Sequence, residues 1–121
     1  MIVKSFRDLI VWQKAHLLVL EIYSITKNFP SDEKFGIILQ LRRAAYSIPA
    51  NIVEGHARKS KKEFLHFLNI SKASLAELRY FLLLSNDLEY ITPSIYDSIE
   101  SKSDEVARIL YAFIKKLQNS I

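Results

Sequence analysis

Glu63 and His66 stand three residues apart as E-x-x-H, the spacing with which a helix offers a carboxylate and an imidazole to one metal ion. Di-iron bundle sites need that motif twice, plus two further inward carboxylates. This chain has one copy and no cysteine, so no metal site is expected. His16, His56 and His66 lie on separate segments, none beside a serine or carboxylate that would form a nucleophile–base unit. The only glycines are Gly36 and Gly55, too few for a phosphate-cradling loop. Neither an enzyme nor a cofactor is expected.

The other chemistry in the chain is positive charge. Between residues 42 and 62, Arg42, Arg43, Arg58, Lys59, Lys61 and Lys62 face only Glu54, a local +5 in a chain of net charge +4. Such a cluster is an electrostatic footprint for nucleic acid or another polyanion, and equally a solvated loop between two helix ends. Lys62, His66, Asn69, Lys72 and Arg79 fall along one polar stripe, which adds Lys72 to the candidate phosphate contacts. No aromatic residues alternate with these cations, so stacking on single-stranded bases is not expected.

These residues must be positioned by helices. Half of the 121 residues are apolar or aromatic, with two glycines and three prolines, a composition poor in the turn residues of β folds. One domain is expected. No stretch reaches the ~18 uninterrupted apolar residues of a membrane span, and residues 1–13 lack a signal-peptide pattern. A cytoplasmic protein with no membrane contact is expected.

Apolar spacing predicts helices over about 8–27, 32–58, 61–86 and 93–118. Ser31 is the expected N-cap of the second, with Asp32 and Glu33 at its positive end. Ser60 and Glu63 form an S-x-x-E capping box for the third. Thr92 caps the fourth, with Pro93 in its first position. Short connections make neighbours antiparallel, giving an all-α, up-down-up-down four-helix bundle. Ile38, Leu41, Ala45, Ile48 and Ile52 stay in phase through Pro49, so helix 2 is expected to continue with a kink at Pro49. There the ring removes the bond to the Ala45 carbonyl, at ~3 kcal/mol. The alternative is a new helix opened by an Asn51–Glu54 capping box.

The helices carry more apolar surface than one bundle hides. "HLLVLEIY" (16–23), "LRYFLLLS" (78–85) and the trio Ile109, Tyr111 and Ile114 are apolar on more than one face, which predicts a homo-oligomer. Arg43, Ser47, Ala50, Glu54 and Arg58 trace a second face of helix 2, small in the middle and charged at its ends. It fits either a subunit boundary or a plain exposed face with one ion pair.

"FRDLIVWQKAH", "QLRRAAYSIPANIVEG", "RKSKKEFLHFLNIS" and "SLAEL" resemble the 23S rRNA intervening-sequence protein family over roughly residues 5–118. The resemblance implies a small bacterial four-helix bundle assembled as a cyclic homopentamer. It is similar to an accessory protein of diversity-generating retroelements that binds nucleic acid and a reverse transcriptase. Ser47, Pro49, Asn51, Glu54 and Gly55 fall on the family motif, with Arg42 and Arg43 just before it and Glu77 within "SLAEL". Ala73 departs from the family's glycine, and Arg79-Tyr80-Phe81 from a more polar continuation. The expectation is a non-enzymatic, homo-oligomeric nucleic-acid-binding or accessory protein contacting structured RNA. The alternative is a protein–protein scaffold without a nucleic-acid ligand.

Overall fold

The computed structural model describes residues 5–120. Four helices account for most of them: α1 (Ile10–Thr26), α2 (Ile37–His56), α3 (Lys61–Asp87) and α4 (Pro93–Gln118). No strand occurs among the described residues.

Two of the helix starts differ from the expected ones. Asp8 does not begin α1. It closes a single 3-10 turn, Phe6–Asp8, in which its carboxylate accepts from the Ser5 N–H and Ser5 Oγ accepts from the Arg7 N–H. Leu9 is extended, and α1 follows. Ser31 does not cap α2, because Ser31–Glu33 forms a separate 3-10 turn. The Glu33 carboxylate instead accepts from the Ile37 N–H at 3.4 Å and from the Tyr90 hydroxyl at 2.7 Å. This ties the start of α2 to the α3–α4 connection. A Cβ on Gly36 would collide with that carboxylate.

The other starts are as expected in kind. Ser60 Oγ accepts from the Glu63 N–H at 3.1 Å. The return half of the box differs, since Glu63 Oε2 takes the Ser60 hydroxyl rather than its backbone N–H. Thr92 Oγ1 accepts from the Ile95 N–H at 3.2 Å, with Pro93 in first position. Helix α2 is unbroken through Pro49, so no new helix opens at Asn51. An uninterrupted, proline-containing helix is compatible with the expected bend.

Cross-contacts give the running directions. Ser47 meets Ser74 while Gly55 meets Phe64 and Phe67, so α2 and α3 run oppositely. Phe64 lies against Phe113 and Arg79 against Glu100, reversing α3 and α4. Lys14 pairs with Glu105 and Glu21 with Lys102, reversing α1 and α4. Each helix touches its chain neighbours, and α4 closes back on α1, compatible with the up-down-up-down order. The shared core includes Leu18, Ile22, Leu41, Ile48, Ile52, Leu68, Leu78, Leu82 and Leu110, all nearly inaccessible.

The apolar surplus is smaller on α4 than expected. Ile114 is buried and Ile109 packs against the core, leaving Tyr111 exposed. It is larger on α1 and α3, where Leu17 is 56% exposed, Leu20 53% and Tyr80 58%.

Candidate functional site

The antiparallel bundle has two poles of opposite charge. At one, the α2–α3 connection and the first turn of α3 present Lys59, Lys61 and Lys62, all exposed. The Lys61 ammonium donates to the Ser120 carbonyl at 2.5 Å, bringing in the end of α4, whose last turn carries exposed Lys115 and Lys116. These two lysines were not among the candidates drawn from sequence. The signal was a lysine pair in the last turn of α4, which the bundle order brings against the α2–α3 connection. Cations there also suit the negative end of the helix dipole.

The remaining cations of the sequence cluster separate. The Arg58 guanidinium donates to Glu54 at 3.0 Å, approaches Glu63 at 3.9 Å and lies 4.9 Å from the Phe67 ring centre, so two carboxylates offset its charge. The Glu54–Arg58 pair is the i, i+4 arrangement expected. Arg43 is exposed but lies near the start of α2, thirteen residues and about 20 Å of helix before His56 at its end, whereas Arg58 lies just beyond that end. Lys72 lies ten residues beyond Lys62, about 15 Å along α3. Arg42 turns inward: Nε donates to Thr26 Oγ1 at 2.8 Å, Nη2 to the Tyr23 carbonyl at 3.4 Å, and the guanidinium covers the Tyr23 ring at 4.5 Å. The Tyr23 carbonyl is among the last four of α1, which lack helical partners. Arg42 therefore closes the C-terminal end of α1 at the opposite pole from Lys59. The cluster at 42–62 is compact in sequence but spread along α2 in space.

The opposite pole carries Asp32, Glu33, Asp87, Glu89 and Asp97, against Lys27, Lys34 and Arg42. Tyr90 lies there, and its hydrogen bond to Glu33 raises its pKa above the ordinary 10.0. Burial, then the Glu100 charge, raises that of Tyr96.

Four of the family-motif positions sit in the α2–α3 seam. Ser47 Oγ and Ser74 Oγ are 2.9 Å apart, and the Asn51 amide donates to the Ser47 carbonyl at 2.8 Å and to its hydroxyl at 3.0 Å. The buried Ser71 hydroxyl donates to the Ile48 carbonyl at 2.8 Å, next to buried Pro49. A Cβ on Gly55 would lie 2.8 Å from Phe64 Cδ1 and 2.9 Å from Phe67 Cβ. Ser47 is thus engaged within one chain, so of the two readings of this face the plain exposed one does not hold at Ser47. Glu54 and Glu77 are exposed, and Glu77 makes no ion pair among the described residues.

The E-x-x-H pair does not form a ligand set. Glu63 is held by Ser60, and His66 lies edge-on to Phe67 at 5.2 Å. His16 stacks on Trp12 at 4.9 Å, and His56 meets the Phe64 edge at 6.1 Å. No three His, Asp or Glu side chains converge on a metal position among the described residues. No helix among them is long and apolar enough to cross a membrane.

Two apolar grooves flank α4. The α1–α4 groove, about 390 Å³, lies beside Leu17, Leu20 and Val106, and the α3–α4 groove, about 490 Å³, beside Leu75, Ala76 and Leu110. Arg79 at the latter donates Nε to Glu100 at 3.0 Å. That hydrogen bond raises its pKa against the opposing effect of burial, so the arginine stays charged.

No curated protein matches the chain. A crystal structure from Bacteroides thetaiotaomicron, of a protein of unknown function from the S23 ribosomal protein family, is similar to it. The two are 32% identical with a TM-score of 0.79, over 88% of this chain and 99% of that one. The 23S rRNA-intervening sequence protein family matches residues 7–112, with Pro49 and its polar neighbours inside the match. The chain belongs to the 23S rRNA-intervening sequence protein family.

Proposed function

We propose that the chain is a non-enzymatic, homo-oligomeric nucleic-acid-binding protein that contacts structured RNA through its basic pole. The observation behind this reading is the convergence of Lys59, Lys61 and Lys62 with Lys115 and Lys116 from another helix. Flexible exposed lysines neutralise phosphates without reading sequence, and each contact adds to the salt dependence. Arg43 and Lys72 contribute at the flanks only if the RNA extends along the bundle, and Arg42 contributes to stability instead. Repetition of the pole in an oligomer, a cyclic pentamer in the expected form, turns weak contacts into avidity.

The test is a salt titration of binding to an RNA hairpin, with wild-type protein and a variant carrying alanine at all five lysines. Wild-type binding should fade steeply with salt, and the variant should lose about one unit of log–log slope per phosphate contact removed. Absence of wild-type binding at low salt overturns the reading. Native mass measured alongside tests assembly, and a monomer at micromolar concentration overturns that part.

Exposed Leu17, Leu20 and Tyr80 favour a second reading, a protein–protein scaffold. It is supported if assembly persists while RNA binding is absent.

A further inference from the structure

We propose that the α3–α4 groove docks an acidic amphipathic helix of a partner protein. Its floor is apolar, with Leu75 and Ala76 facing Ala107 and Leu110. The two alanines leave the space of about 490 Å³ that larger side chains would fill. From Lys72 to Arg79 the groove follows α3 for two helical turns, about 10 Å. A straight, apolar trough between two helices accepts the apolar stripe of a third.

The rim sets the sign of the occupant. Every charged residue lining the groove is a cation: Lys72, Arg79 and Arg108. The two arginines share Asp104, at 3.7 and 3.1 Å, and Arg79 also holds Glu100. Lys72 makes no ion pair among the described residues. The α1–α4 groove differs, because its rim charges match one another, Lys14 with Glu105 and Lys102 with Glu21. The unmatched positive charge lies at the α3–α4 groove, where carboxylates flanking an apolar stripe complement both rim and floor. A sugar–phosphate backbone would leave that floor exposed. This inference does not rest on RNA binding, which uses lysines at the pole.

Two synthetic helical peptides with the same leucine stripe, flanked by glutamates in one and lysines in the other, provide the test by fluorescence anisotropy. The glutamate peptide should bind wild-type protein at least about tenfold more tightly than the lysine peptide. Lys72→Glu should remove that preference. Ala107→Trp should abolish binding by filling the groove, and Ala76→Trp, at an exposed position, does the same with less risk to folding, which circular dichroism checks. Alanine at Lys59, Lys61 and Lys62 should leave peptide binding unchanged. Equal binding of the two peptides overturns the proposal, as does no binding of the glutamate peptide, or binding that survives both tryptophan variants. A fall in native particle mass in Ala76→Trp, with no peptide bound by wild type, also overturns it and assigns the groove to a second copy of this chain.

Discussion

Along α3, the side facing α2 carries Phe67, Ser71 and Ser74, whereas the side facing α4 carries Lys72, Ala76 and Arg79. On the α2 side, small residues and hydroxyls let backbones approach closely enough for side chain-to-carbonyl hydrogen bonds across the seam. On the α4 side, long side chains reach across a wider gap, and ion pairs bridge what apolar contact leaves open. Ion pairs that are partly exposed are weak and screened by salt. Close contacts between backbones are intolerant of even one added carbon. The same helix thus has a rigid seam and an adaptable one, and the adaptable one retains a groove.

The sharpest way to break this contrast is Gly55→Val. Its Cβ would meet the Phe67 Cβ at 2.9 Å and the Phe64 carbonyl at 3.2 Å, neither of which can rotate away. A loss of about 2–3 kcal/mol is expected from overpacking, read as a lower urea midpoint. An unchanged midpoint would show that the start of α3 yields easily. Ser71→Ala comes next. It removes one buried hydrogen bond to the Ile48 carbonyl, which retains its place in the helix ladder, so about 1 kcal/mol should be lost. Arg79→Gln on the other seam should have the smallest effect, below about 1 kcal/mol and shrinking with added salt, because the pair is about a third exposed. A salt-independent loss larger than that of Ser71→Ala would invert the comparison.

The helices were legible because periodicity is a local property. The apolar seam of α3, from Phe64 through Leu68, Leu75, Leu78 and Leu82, lies in or against the core as its spacing requires. The start of α2 was not legible. Ser31 has the right side chain for a cap, but Glu33 is drawn to the Ile37 N–H and to Tyr90, fifty-seven residues away in sequence. The candidate site was legible in part. Lys59, Lys61 and Lys62 are neighbours in chain and in space, whereas Lys115 and Lys116 join them only through antiparallel closure. Arg42 looked like one more surface cation because sequence does not show the unpaired carbonyls at the end of α1. The motif around Pro49 was recognisable as a pattern, but its hydroxyls and glycine make physical sense only beside α3.

By itself the sequence determined that the chain is helical, where most of its helices run, and that positive charge concentrates between residues 42 and 62. Those properties depend on residue type and on spacing within a few turns. Tertiary structure alone decided which cations share a surface, which one closes a helix end, which helix pair lies close and which stays open. The reason is that a helix separates residues by about 1.5 Å of rise each, so a cluster in sequence becomes a line in space. Only the crossing of a second helix turns part of that line into a site.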